Sequence, residues 1–460
     1  MKKTIEPISR RNFLKVMGSG AAATAAIAAC GPKNIEKIAS GKEVGEMTYR
    51  TDREGGKVSL LGYGCMRWPQ VEGPDGKKVI DQEAVNGLVD YAIAHGITYF
   101  DTAPLYLQAQ SETATGIALS RYPRESYTIA TKMSNYRIPK TLEAGVQMYR
   151  DSLKKLQTDY IDYYLLHSIG GGDDPLGDLN KRFFDNGLLD FLVKERREGR
   201  IRNLGWSFHG DIKVFDHMLA LHDEGKYHWD FVQIQMNYVD WGYANTRDSG
   251  EQNASYMYEE LAKRDIPVVI MEPLLGGQLA SLNDHANEEL LSHNPGESIA
   301  SWAFRFCASF PKVLTVLSGM TYMEHLQDNL RTFSPAVPLN EEEMQMLDRI
   351  AKEYVQFPLV PCTGCSYCMP CPYGVDIPGV FAQYNKCVNE GLISAEEGDP
   401  EYRKARRAFL VSLDRKIEPE RRADHCIGCR KCTQVCPQRI AIPGHMRKID
   451  AYIESLKRTI

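Results

Sequence analysis

The chain has 460 residues, 43% of them hydrophobic and 25% charged, with a formal net charge of −5. That length suits one large domain plus a small one, and the apolar content is enough for a full core. The acidic balance argues against a nucleic-acid surface, which needs a basic patch.

The chain opens on Ser9-Arg10-Arg11-Asn12-Phe13-Leu14-Lys15, followed by an apolar, Ala- and Gly-rich stretch over 16–29. A spanning helix needs about 20 apolar residues. The stretch therefore reads as the h-region of an export signal, residues 1–30, and is set apart from the fold. Residues 31–46 are polar, rich in Gly and Lys, and read as a linker.

Residues 47–335 alternate short β-branched runs with longer amphipathic ones. Met47–Arg50 and Lys57-Val58 flank Gly55-Gly56 and predict a hairpin. Strands are expected at Leu60–Met66, Thr98–Thr102, Tyr127–Thr131, Tyr160–Leu166, Ile201–Ser207, Phe231–Met236, Pro267–Met271 and Val313–Leu317. Helical periodicity fills the gaps, as at Gln82–Ala94, Leu142–Leu156 and Ser298–Ser309. Eight strand–helix units predict a (β/α)8 barrel of the α/β class. The rival, a doubly wound sheet, lacks its G-x-G-x-x-G turn after the first strand. In such barrels chemistry sits where strands end. Those positions carry Asp101 and Tyr106 after the second strand, Lys132 after the third and His167 after the fourth. Barrel closure would bring the four to one mouth.

A connecting helix is expected over 336–356, and Phe357-Pro358 and Val360-Pro361 break it. Residues 357–460 hold two cysteine runs. Cys362, Cys365, Cys368 and Cys371 form C-x2-C-x2-C-x2-C-P; Cys426, Cys429, Cys432 and Cys436 form C-x2-C-x2-C-x3-C-P. This is iron–sulfur spacing, in which the fourth cysteine, before proline, usually ligates the other cluster. It predicts two [4Fe–4S] clusters, one on Cys362, Cys365, Cys368 and Cys436, the other on Cys426, Cys429, Cys432 and Cys371. Structural zinc favours separated C-x2-C pairs. Disulfides this close in sequence would meet poor bridge geometry. Helices are expected between the runs at Ile377–Glu390 and Pro400–Leu413, the second bearing Arg403, Lys404, Arg406 and Arg407.

Several segments resemble known families. The paired arginines with Phe-Leu-Lys resemble a twin-arginine signal, which implies export of a protein folded with its clusters already in place. Ile27-Ala28-Ala29-Cys30-Gly31 resembles a lipoprotein cleavage box, which would leave Cys30 lipidated and the protein anchored to a membrane face. Residues 48–332 resemble the aldo-keto reductases through F-D-T-A-x-x-Y, A-T-K and L-L-H, and through Leu204-Gly205-Trp206-Ser207, Gln233-x-x-x-Asn237 and Glu272-Pro273-Leu274-Leu275-Gly276-Gly277. The long helical insert between the cysteine runs resembles α-helical ferredoxin modules.

The aldo-keto reductase resemblance implies hydride transfer on a carbonyl or alcohol, with NADP or NAD as cofactor. Tyr106 would be the proton donor, its phenol lowered by the Lys132 ammonium. Asp101 would hold the lysine and His167 would orient the carbonyl. Ser207 and Gln233 would hold the nicotinamide amide. Backbone amides of Leu274, Leu275, Gly276 and Gly277 would cradle the pyrophosphate, and Ser318, Thr321 and Asn329 the adenosine end. Met271 stands where the family commonly places a stacking tyrosine. The expected partners are a small-molecule substrate and a redox protein, with a membrane met only through Cys30. Loops 168–183 and 239–252, the latter with Trp241, Tyr243 and Arg247, are expected to set specificity. Cys65 is a candidate substrate contact, while Cys307 reads as core. The alternative is an electron-transfer or docking lipoprotein whose barrel is inactive. Substrate, direction and oligomeric state are not legible.

Overall fold

The computed structural model describes residues 44–458 apart from 54, 75, 248–251, 357–358, 391 and 394–401. The export segment, Cys30 and most of the linker lie outside the described residues.

Eight strands close into an all-parallel barrel: β1 (Leu61–Gly64), β2 (Tyr99–Asp101), β3 (Thr128–Met133), β4 (Ile161–Ile169), β5 (Ile201–Phe208), β6 (Phe231–Gln235), β7 (Val268–Met271) and β8 (Val313–Ser318). Each pairs with its neighbours in chain order, and β8 pairs with β1. Side chains alternate between two apolar layers, as the strand period of two requires. Tyr99, Ala130, Tyr163, Leu165, Phe231 and Val269 share one cluster that fills the barrel. Phe100, Ile129, Tyr164 and Leu166 belong to the larger cluster under the helices. The hairpin of Tyr49–Thr51 with Lys57–Ser59 adds Val58 to the interior cluster, and Tyr163 Oη donates to Asp52 Oδ2 at 2.9 Å. A second hairpin, Gln70–Glu72 with Lys78–Ile80, escaped the sequence reading. Its three-residue strands are too short to display a period.

The helices begin where side chains can accept the first free N–H groups. Asp81 accepts from Ala84 N ahead of helix Gln82–Ala94, and Thr141 from Ala144 N ahead of helix Leu142–Leu156. Helix Glu341–Gln356 packs into the barrel's outer core through Met346, Leu347, Ile350 and Ala351. Segment 239–252 is a correction. Much of it lies in helix Tyr238–Arg247, where Trp241 packs on Phe310 with ring centroids 4.5 Å apart and Tyr243 donates to Asp348 at 3.0 Å. Helical phase turns both aromatics toward neighbouring helices instead of toward a ligand.

The C-terminal region has its own apolar core, including Val375, Phe381, Phe409, Leu413, Met446 and Ile449. It is built on helices Ile377–Asn389, Tyr402–Lys416 and Ile442–Arg458. Arg403, Lys404 and Arg407 are exposed. Arg406 is spent internally, donating to Leu456 O near the end of the last helix. Among the described residues no helix is long and apolar enough to cross a membrane.

Helix Ser111–Leu119 meets helix Leu142–Leu156 at Gly116, where a Cβ would collide with Lys155 O and sit 2.8 Å from Leu156 Cα. Both obstacles are backbone. Gly116→Ala is expected to destabilise the barrel by ~1–3 kcal/mol, the usual overpacking range, read as a lower urea midpoint of the full chain.

Candidate active site

Asp101 pairs with Ala130 across β2 and β3, so Lys132, two residues further along, reaches over the end of β2. Its Nζ donates to Asp101 Oδ1 at 2.5 Å and to Thr102 O at 2.9 Å, all buried. The same Nζ lies 5.0 Å from the centre of the Tyr106 ring. The Tyr106 and His167 rings are 5.8 Å apart at 78°. The four expected residues therefore meet at one end of the barrel. Tyr106 precedes three residues in left-handed conformation, Leu107 (φ 51), Gln108 (φ 52) and Ala109 (φ 66). Non-glycine residues rarely adopt it, and strain of this kind gathers at functional sites.

His167 Nδ1 lies 2.5 Å from Ser134 Oγ. The turn beyond it is held by buried Arg182, which donates to His167 O at 2.5 Å, Ser168 O at 3.0 Å and Asn135 Oδ1 at 3.0 Å. Tyr136 stands edge-on to His167, with ring centroids 5.7 Å apart. Ser134, Asn135, Tyr136 and Arg182 were not singled out in the sequence. Their only signal is position, just after β3 and in the loop after β4.

Burial, then the Lys132, His209 and Arg182 charges, hold His167 well below the usual histidine range. It is thus a neutral imidazole at neutral pH. In the tautomer in which Ser134 Oγ donates to Nδ1, the ring proton sits on Nε2. Burial pushes the Asp101 carboxyl up and the adjacent ammonium pulls it back. Tyr106 departs from expectation. Its phenol is raised well above the usual tyrosine range, by burial first and then by the negative charge of Asp101, with Tyr136, Cys65 and Glu272 adding to it. Asp101 offsets the ammonium that was expected to lower it. Tyr106 keeps its proton at neutral pH.

The expected nucleotide contacts lie on the other side of the mouth. Ser207 on β5 pairs directly with Gln233 on β6, and both are buried. Gln233 Oε1 has no hydrogen-bond partner, so a buried acceptor waits beside Ser207, whose Oγ accepts from Ser168 N at 2.8 Å. That pair fits a carboxamide. Ser318 Oγ accepts from Asn329 Nδ2 at 2.9 Å, and Thr321 donates to Arg67 O at 2.9 Å. After β7, Leu275, Gly276 and Gly277 have positive φ, and a Cβ on Gly277 would meet open space. One group intrudes on that cradle. Glu272 (φ 55) accepts from the Gly276 N–H and from the Gln438 side chain, with Arg67 nearby. Burial raises its carboxyl above the usual range. Glu272 was quoted in the sequence motif without a role.

Cys362, Cys365, Cys368 and Cys436 line a single cavity, the cross-paired set expected from their spacing; Cys371 lies outside that lining. Burial pushes the Cys368 thiol up to about 11, and it raises Cys436 while three backbone N–H groups, of Gln438, Arg439 and Ile440, pull Cys436 back. Cys426 bears electrostatically on Cys432, and Cys429 is exposed. Among the described residues no three ligating side chains close on one metal ion. Cys65 packs: it is fully buried with Sγ 3.6 Å from Tyr63 O and held as a thiol by burial, the reading favoured over a substrate contact. Cys307 is core, as expected.

A parallel barrel with acid, phenol, amine and imidazole at its strand ends, followed by a cysteine-rich helical module, defines an oxidoreductase with an iron–sulfur domain. The family model for the aldo/keto reductase family matches residues 60–352, and that for the 4Fe-4S dicluster domain matches residues 361–441. The chain belongs to the aldo/keto reductase family. It is 33% identical over 149 residues to the probable aldo-keto reductase 1 of Glycine max, covering 30% of this chain but only 42% of that relative. It is 24% identical over 291 residues to L-galactose dehydrogenase of Arabidopsis thaliana, covering 60% and 84% of the two chains. The fold is shared with an aldo-keto reductase from Bacillus halodurans in its holo form (TM-score 0.52, 24% identity, 67% of this chain and 98% of that one). It is also shared with one from Klebsiella pneumoniae in complex with NADP and acetate (TM-score 0.51, 23% identity, 66% and 95%).

An ionised Glu272 would repel a nucleotide phosphate at Gly276. Because burial raises its carboxyl, the group is neutral below that raised value and charged above it, so NADPH affinity is expected to fall as pH rises through it. Glu272→Gln should flatten this dependence and bind NADPH roughly tenfold tighter at alkaline pH, about 1.4 kcal/mol, as read by fluorescence titration.

Proposed function

We propose that this chain is an exported oxidoreductase that interconverts a small carbonyl compound and its alcohol, with two [4Fe–4S] clusters carrying electrons to or from a redox partner. The observation that carries this reading is the single cluster formed by Asp101, Tyr106, Lys132 and His167. The substrate oxygen lies between Tyr106 Oη and His167 Nε2. His167, kept neutral, donates to that oxygen and orients it. Tyr106 gives up its proton as the oxygen gains charge, and the Lys132 ammonium stabilises the phenolate left behind. In the oxidative direction Tyr106 takes the proton back. A nicotinamide nucleotide supplies or accepts the hydride when bound, as the Klebsiella pneumoniae relative's NADP suggests; Ser207 and Gln233 would hold its carboxamide. The eight run cysteines, in the two sets given above, would hold the clusters.

Tyr106→Phe is expected to lower kcat by about 10²–10⁴-fold, the usual worth of a positioned proton donor, with cluster absorbance unchanged. A carbonyl and alcohol screen on anaerobically purified protein supplies the substrate; turnover that survives the substitution refutes the assignment. His167 is neutral down to below 6.5 and Tyr106 protonated to above 10. The kcat profile contributed by these two groups should therefore be level between those limits.

Export rests on Arg10, Arg11 and the apolar stretch that follows, and membrane anchoring on Cys30. Replacing both arginines with lysine should leave the protein in the cytoplasm, and Cys30→Ala should release the exported form from membranes, both read by cell fractionation.

A further inference from the structure

The following deepens the proposed function and rests on its claim that the cysteine runs hold clusters. We infer that the two cysteine sets are not equivalent: Cys362, Cys365, Cys368 and Cys436 roof the barrel mouth and serve the active site, while the set of Cys426, Cys429 and Cys432 with Cys371 faces outward to a one-electron carrier protein.

Four residues beside the first set's cysteines touch the barrel mouth, and they do so on both sides of the catalytic hollow. On the β7 side, Thr363, next to Cys362, lies against Gly276: a Cβ there would sit 2.5 Å from Thr363 Cγ2. Gln438, two residues after Cys436, hydrogen-bonds Glu272, whose charge bears on Tyr106. On the β4 side, the Arg439 guanidinium lies in a slot made by loop glycines. A Cβ on Gly171 would collide with its Nη2, and one on Gly210 would sit 2.5 Å from its Nη1. Arg439 also bears on His209, and His209 on His167. Between the two sides, Tyr367, next to Cys368, bears on Tyr136, which stands against His167. Three of these links, through Gln438, Arg439 and Tyr367, are a single residue removed from Tyr106 or His167.

The second set lies in different surroundings. Cys429 is exposed, as Cys365 of the first set is, and Val435 at 41% matches Tyr367 at 43%; the difference lies at Ile427, 63% exposed between Cys426 and Cys429. Large apolar residues beside the cysteines leave that face open to a partner protein.

This asymmetry orders the electron path. Reducing a carbonyl to an alcohol takes up a hydride, which a bound nicotinamide would supply, and one proton, which passes through Tyr106; oxidising the alcohol reverses both. Restoring the nicotinamide to its starting state then takes up or releases two electrons and one proton. Two molecules of a one-electron carrier exchange the electrons one at a time, entering through the outer set and then the inner one or leaving in the opposite order, and the proton exchanges with solvent.

The test needs no substrate. Full-length holoprotein is titrated anaerobically by EPR, with Cys436→Ser and Cys429→Ser identifying which signal belongs to which set. Removing a nearby negative charge favours the reduced cluster and removing a positive one disfavours it. At a pH where Glu272 is ionised, Glu272→Gln should raise the midpoint potential of the cluster altered by Cys436→Ser. Arg439→Gln, on the opposite side and exposed, should lower the same one. The cluster altered by Cys429→Ser should not move. Should Glu272→Gln misfold, Arg439→Gln decides alone. Iron-loaded protein in which both clusters, the other cluster or neither respond overturns this inference only. Iron-free protein from anaerobic cells overturns the proposed function with it.

Discussion

The buried pair of Asp101 and Lys132 is the interaction on which the site depends. Two opposite charges are removed from water at the ends of adjacent strands, held by a 2.5 Å contact. Burial of either alone would be prohibitive. Together they fix the end of β2 against the end of β3 and place an ammonium under the Tyr106 ring. Asp101 also keeps the phenol protonated, and Lys132 helps to keep His167 neutral. Burial comes first for both groups, and this one pair adds to each shift in the same direction. The result widens the pH range of the states that tyrosine and histidine already favour near neutral pH, since burial amplifies each neighbour's charge.

The second organising feature is the way the helical module meets the barrel. The loops carrying Cys362 and Cys436 do not hang from a linker; they press on Gly171, Gly210 and Gly276 through Arg439 and Thr363. Glycine at these places leaves room that any side chain would fill. Glu272 extends the same contact inward, joining Gln438 to the cradle after β7. Barrel and cysteine module therefore share walls, and a group bound at the mouth would be lined by both.

Much of the barrel was legible because its signals are local. β-branched runs with a period of two gave all eight strands to within a few residues, and the caps at Asp81 and Thr141 lie where the helices were expected. The four mouth residues were found because each sits at a strand end in chain order. The short hairpin at Gln70–Ile80 had too few residues to show a pattern. Trp241 and Tyr243 looked like ligand contacts because aromatic residues in a loop suggest one, yet the segment is helical and they pack inward. Cys65 packs at β1's end, and Arg406 was counted with a basic face that it does not join.

The amino-acid sequence by itself determined the barrel, the identity of the four mouth residues and the two cysteine runs, because strand period, strand-end position and cysteine spacing are properties of neighbouring residues. Tertiary structure alone decided the upward direction of the Tyr106 shift, the intrusion of Glu272 into the cradle and the contacts of Thr363 and Arg439 with the mouth loops. Each of these arises between residues tens to hundreds of positions apart, where burial and the field of distant charges act and no local pattern records them.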